Sequence, residues 1–551
     1  MTPLTASRKD THIHTTVLST LAAEHTAGRG ILAFLDTNDA RSLRMVNDEF
    51  REAVTVFPWF DKNTRISNLQ KWRACFPNAR AANICGQRHL VDADFVHLKG
   101  IHTLYMWDCN QAGITDKAFE NLKGIDTLDM SFCTQAGVTD AAFANLNGIH
   151  TLVMDGCHQI TDAAFAHLKG IHTLDMSYCN RGGITDAAFE NLRGIHTLEM
   201  SGCSQDGITD KAFENLKGIH SLNMSRCNQE GITDAAFENL KGIHTLDMSD
   251  CDQEGITDEA FTHLKGIHTL EMTSCSQAGL TDEAFQYLKG IHTLDMSWCD
   301  QASITDKAFE NLKGIHRLDM SGCDQAGITD AAFENLKGIH TLVMDGCDQI
   351  TDAAFVHLKG INILDIARCR QLTDRAFVHL KGICGLFMCE CSQAGITDKA
   401  FENLKGIHSL NMSWCDQASI TDKAFENLKG IKQLVISYCT QVTITDKAFE
   451  NLRGIHTLKM GGCNQAGLTN KAFENLKGIH TLDINQCGQI TDAAFVHLKG
   501  IHTLNMSYCK QITEKAFENL RGIHTLGITG CAQFTASKII EHLGHQTRMM
   551  G

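Results

Sequence analysis

The sequence predicts an α/β solenoid. It should be a right-handed coil of about twenty repeats of 22–24 residues, with parallel strands on the concave face and short helices on the convex face, preceded by a small helical module. Three observations predict it. Twenty of the 23 cysteines, from Cys85 to Cys531, follow one another at intervals of 24 residues fourteen times and 22 residues five times; Cys75, Cys384 and Cys389 lie outside the series. Ahead of each ladder cysteine, apolar residues alternate with period 2, as in a strand buried on one face. After it, an apolar residue and Thr-Asp lead into Ala, Phe and Leu at helical spacing. A fixed period of this length, with units too small to bury their own apolar side, means stacking.

Residues 1–28 lack periodicity and are expected to form a disordered tail. Residues 29–78 form the helical module and its connector. Ile31, Phe34 and Leu35 make an apolar cluster, Asp36 to Asp39 a turn suited to capping, and Leu43, Val46, Phe50 and Val54 recur at helical spacing. Residues 79–531 are the array. In the unit Ile171–Gly194, Leu174 and Met176 point inward from a short strand. Thr185 or Asp186 can cap about two helical turns carrying Ala188, Phe189 and Leu192, and Gly194 can take the left-handed conformation that ends them. The shorter units lose two residues between Cys and Ile, as in Cys157–Ile160 against Cys109–Ile114, which changes no inward position. In residues 532–551 the repeat gives way to an amphipathic stretch, Ser537 to Leu543, expected to cap the open core.

Composition narrows the function. The net charge of −15 argues against nucleic acid or an anionic membrane as partner. No apolar run suggests a leader or a membrane span, so free thiols in a reducing compartment, cytoplasm or nucleus, are expected. No catalytic residue is singled out, because every Ser and His of a unit recurs with the same neighbours, and no cofactor is expected. The cysteines are inward and in line rather than converging on a point, so no metal site is expected. Histidine recurs after the first strand isoleucine at fifteen of nineteen positions, from His102 to His524. This second ladder reads as a stacked row of rings at the strand entry, or alternatively as a pH-sensitive or metal-decorated edge.

The pattern LxxLxLxxC followed by (I/L)TD resembles leucine-rich repeats, specifically the cysteine-containing subclass, over about 85% of the chain. The head resembles an F-box, with Ile31 and Leu35-Asp36 at its start, Asp39 at an acidic position, Leu43 and Val46 on the next helix, and Phe50 at an aromatic position. Thr37, Ala40 and Asn47 stand where that family has Pro, Leu and Cys, and its opening Leu-Pro helix has no counterpart near residues 23–30. Proteins with both modules occur in eukaryotes and large DNA viruses. The resemblance implies the substrate receptor of an SCF-type (cullin-RING) ubiquitin ligase. Ile31, Phe34, Leu35, Asp36, Leu43, Val46 and Phe50 would face the adaptor, and the repeats would hold a protein target. The alternative is a scaffold without a ligase link, its head only a cap.

Two rows are candidate partner surfaces. The residue between the inward Leu and Met of each strand gives Tyr105, Glu199, Asp247, Glu271, Asp295, Asp319 and Phe387, an acidic stripe in its middle part. The residue just before the ladder cysteine is aromatic in six units: Phe132, Tyr178, Trp298, Trp414, Tyr438 and Tyr508, with Trp107 nearby. Exposed Trp and Tyr are frequent interface anchors.

Overall fold

The computed structural model describes residues 32, 35–181, 183–534, 542–543 and 547–550. The expected tail, Ile31, Phe34 and most of the expected closing helix lie outside the described residues. The chain divides into two compact units, Met1–Ile267 and His268–Gly551.

The first unit begins with three helices: α1 (Thr37–Leu43), α2 (Asp48–Val56) and α3 (Leu69–Cys75). Each starts where its sequence supplies an acceptor for a free first-turn amide: Asp36, Asn47 and Asn68 accept from the backbone N–H groups of Asp39, Phe50 and Lys71. The head is then fixed to the first coils. Trp59 is buried against the edge of Phe76, its indole N–H donates to Val54 O, and its carbonyl accepts from Arg80 N–H. The Arg73 guanidinium donates to the carbonyls of His97 and Lys99.

Eight three-residue strands follow among the described residues of this unit, from Ala81–Asn83 to Thr245–Asp247. The second unit holds thirteen, from Thr269–Glu271 to Arg548–Met550. Within each unit neighbouring strands pair in parallel and in phase, so Leu174 lies beside Leu198 and Leu294 beside Leu318. Each position therefore stacks on its own counterpart. In the coil from Ile171, the side chains of Ile171, Leu174, Met176, Cys179, Ile184, Ala188, Phe189 and Leu192 are all buried. The last strand pairs with Thr525–Gly527 and adds a further rung to the ladder.

One expectation is narrowed, one open alternative is decided and one is overturned. The two expected turns are not uniform: some coils have a single α-turn such as Asp186–Phe189, whereas others reach two turns in a six-residue 3₁₀ segment such as Asp140–Asn145. The tighter helix rises faster per residue, which suits a short return path. Second, Thr185 alone provides the cap, and Asp186 reaches across to the next coil. Its Oδ1 accepts from Thr209 N–H at 2.7 Å and its Oδ2 from Thr209 Oγ1 at 2.8 Å. The pair recurs along both units, for example Asp306 on Thr329. Third, Cys85 is not part of the ladder. Asn83 pairs with Tyr105, which sets Cys85 opposite Trp107 and leaves Gln87 opposite Cys109. The first coil is 22 residues long by strand register, and a two-residue offset of its cysteine mimics an interval of 24.

Asp186→Ala should therefore remove two charge-assisted hydrogen bonds and lower the unfolding free energy by about 1–3 kcal/mol. Asp186→Asn should lose less, because Asn470 makes the equivalent contacts to Thr491 within this chain. Urea unfolding of the two variants checks the order.

Gly194 has φ +83°, as expected of the residue that ends the helix. No helix among the described residues is long and apolar enough to cross a membrane.

Candidate interaction surface

The turn that closes each strand decides what the molecule displays. The strand ends at an inward Met or Ile, and two residues later the backbone takes a left-handed conformation just before the ladder cysteine. Thirteen coils place a non-glycine residue there, with φ between 54° and 61°. That conformation is strained for bulky side chains. All six aromatic residues of the row adopt it.

Each ring covers the neighbouring coil. A Cβ built on Gly156 would lie 2.9 Å from the Phe132 ring, one on Gly202 2.7 Å from Tyr178, and one on Gly322 2.5 Å from Trp298. Gly322 has φ +67°, so it is required twice over, by its backbone conformation and by the ring above it. Trp414 instead meets Tyr438, face to face, with ring centroids 4.1 Å apart. The rings thus pack on neighbouring coils and still show roughly half their surface: Phe132 is 50% exposed, Trp298 54%, Trp414 52% and Tyr508 50%. Tyr178 and Trp107 are also exposed; Tyr438 and Tyr105 are half-buried.

The acidic stripe is less open than expected. Glu199, Asp247, Asp295, Asp319 and Phe387 are half-buried, and only Glu271 of the seven is exposed. Several carboxylates are committed to the strand-ending turn: Asp295 Oδ1 accepts from Ser297 N–H and Oγ, and Asp319 does the same with Ser321. Burial, then neighbouring carboxylates, push some of them up, Asp365 to about 6. The stripe is a structural row with an acidic outer edge rather than a bare acidic face.

In the head, Val46 is exposed, Leu35 and Leu43 are half-buried, and Asp36 is exposed but holds the α1 cap. Phe50 is only 4% exposed, so it packs inside the module and does not face a partner. The sequence reading missed Met45 beside Val46, 83% exposed in the α1–α2 turn.

The histidines stack, with centroids 4.5–4.6 Å apart in runs such as His150 to His244 and His268 to His340. Ring Nδ1 lies near the next Thr Oγ1, 3.2 Å for His196. Among the described residues no group of three or more His, Cys, Asp or Glu side chains could hold a metal ion. Desolvation first, then the flanking rings, holds His196, His316 and His480 below the usual histidine range.

The ladder thiols donate to the strand of the coil before, Cys203 Sγ to Met176 O at 3.0 Å. One further ladder went unread. The second residue after the ladder cysteine is Gln in most units, and its amide N–H reaches the preceding cysteine's carbonyl, Gln417 to Cys391 O at 2.8 Å. Its recurrence was visible in the sequence, but a polar residue in a loop gave no reason to expect burial.

Stacked coils in register, with strands along one side and an exposed aromatic edge, define a repeat protein built for binding. The chain belongs to the leucine-rich repeat family: the model for the BspA type leucine rich repeat region matches residues 109–215, 182–316, 254–384 and 394–524. No curated protein matches it. Among solved structures, a crystal structure of a TLR13–ssRNA13 complex is similar over 84% of this chain and 68% of its own, with a TM-score of 0.59 and 18% identity. That likeness concerns the fold alone.

Proposed function

We propose that this protein is a non-catalytic receptor that holds a protein partner along the aromatic edge of its coils. One observation carries the reading: six aromatic side chains occupy a strained turn position that glycine fills without cost, and five of them keep much of their ring in solvent. Such strain costs about 1–3 kcal/mol per residue and is concentrated at ligand clamps. Large exposed rings supply most of the energy at interfaces. A protein partner fits better than a polyanion. One solved structure of similar fold is a complex with single-stranded RNA, but a net charge of −15 opposes phosphate backbones here.

In its finer form the proposal makes the chain the substrate-recognition subunit of an SCF-type ubiquitin ligase. The F-box-like head would dock the adaptor through Leu35 and Val46, joined by Met45, and the repeats, of the cysteine-containing subclass, would hold the target. The exposed apolar turn between α1 and α2 supports this. The rival scaffold reading draws on the bonds from Arg80 N–H to Trp59 O and from Arg73 to His97 O, which tie the head to the first coils as a cap would be tied. The buried thiols fit a reducing compartment, cytoplasm or nucleus.

Affinity purification from cell lysate with quantitative mass spectrometry tests both levels. Trp298→Ala/Trp414→Ala should lose the partner at least tenfold, the scale of two interface anchors at about 1–2 kcal/mol each. Val46→Asp should lose adaptor and cullin while keeping the partner. A partner without cullin in any sample leaves the scaffold; a partner indifferent to the Trp variants sinks the receptor reading.

A further inference from the structure

Two coils of the array are near duplicates. Residues 148–165 and 338–355 differ at a single position, His158 against Asp348, and each is followed by a short 22-residue spacing of the cysteines. Both carry an aspartate two residues before the cysteine, where most coils have Ser: Asp155 and Asp345. What differs is the left-handed turn residue of the next coil, Arg368 in one case and Tyr178 in the other.

Arg368 shows what the aspartate at this place can hold. Its Nε donates to Asp345 Oδ1 at 2.8 Å and its Nη2 to Asp345 Oδ2 at 2.7 Å, a two-pronged guanidinium–carboxylate pair. In the twin coil Tyr178 cannot do this. Asp155 Oδ1 is buried and has no hydrogen-bond donor among the described residues. A buried acceptor left in that condition is expensive. Desolvation, with Asp175 and Asp129 adding to it and His158 opposing, pushes the Asp155 carboxyl above the usual carboxylate range. The surroundings also differ: Phe132, half exposed, lies over Gly156 beside Asp155, where the twin coil has Gly322, whereas the Tyr178 ring leans the other way, over Gly202, and its hydroxyl accepts from Arg226 Nη1 at 3.1 Å.

We propose that Asp155, with the Phe132 ring beside it and no arginine at the turn of the next coil, is the seat of an arginine side chain supplied by the protein partner. The partner's guanidinium takes the place that Arg368 fills at Asp345, pairing with the carboxylate beside the Phe132 ring. Arginine suits the site better than lysine, because its planar fork matches a carboxylate and stacks on rings. The inference rests on reading the aromatic edge as the partner surface, and it gives one point of that surface a chemical identity.

The test uses the full chain and a defined probe, acetyl-Gly-Arg-Gly-amide, with the citrulline tripeptide as its uncharged isostere, followed by saturation-transfer NMR. The arginine probe should bind about tenfold more tightly than citrulline, the scale of a charge-assisted pair. Asp155→Asn should reduce it to the citrulline level, and Asp345→Asn should leave it unchanged. Tyr178→Arg, which copies Arg368 into the first unit, should also abolish binding by filling the site from within. Equal binding of the two probes, or full binding by Asp155→Asn or Tyr178→Arg, would overturn the proposal. Because the probe contains no partner, such a failure is separate from the purification result, which alone judges the receptor reading.

Discussion

Phe309→Ala is expected to lower the unfolding free energy by about 3–5 kcal/mol, the range for emptying a packed aromatic site. The Phe309 side chain is wholly buried, and Phe285 and Phe333 hold the same place in the coils on either side. In a stack of repeats each coil is stabilised only by its neighbours, so the loss concentrates locally. Hydrogen exchange should accelerate in the coils around Phe309 before urea unfolds the rest. Glu310→Ala, exposed in the following position, should change stability by no more than about 0.5 kcal/mol. Equal effects of the two substitutions would mean that the phenylalanine column is not the core.

The ladder thiols should be nearly inert toward alkylation in the native state. Burial pushes Cys203, Cys299 and Cys463 up to about 12. At pH 8 their thiolate fraction is then about three orders of magnitude below that of an ordinary cysteine, and only the thiolate reacts. Cys384, exposed and outside the ladder, should label first with iodoacetamide, as read by peptide mass spectrometry over time. The pH dependence follows in sign. An unfolded thiol loses its proton near pH 8.5 while the folded one keeps it, so stability is fully present below that value and declines as pH rises through it. Labelling of Cys203 as fast as Cys384 would contradict a buried ladder.

The repeat, its strand and its inward residues were legible because they depend on one property, the period of apolar side chains. Leu174, Met176 and Cys179 needed no partner to be recognised as a buried face. The head's capping residue Asp36 was legible, but the even spacing from Leu43 to Val54 was not one helix: Leu43 ends α1, Val46 lies in the turn, and only Phe50 and Val54 belong to α2. Phe50 was misread because periodicity says that a side chain is apolar, not whether it meets its own module or another protein. The misplacement of Cys85 has a different source: spacing between cysteines measures chain length, whereas register is set by strand pairing, and the two diverge where a loop changes length.

By itself, then, the sequence determined the coil, since burying a short apolar unit leaves stacking as the only solution and identical units stack in phase. Only the tertiary structure decided what each polar residue does. Asp186 binds the next coil and not its own helix, Gln417 lies under the loops, and Tyr178 stands where its twin has an arginine. These outcomes depend on distances between residues some twenty positions apart. The physical reason is that apolar burial is non-directional and leaves its mark in pattern, while a hydrogen bond or ion pair exists only at a particular distance and angle, which the stacked coils set.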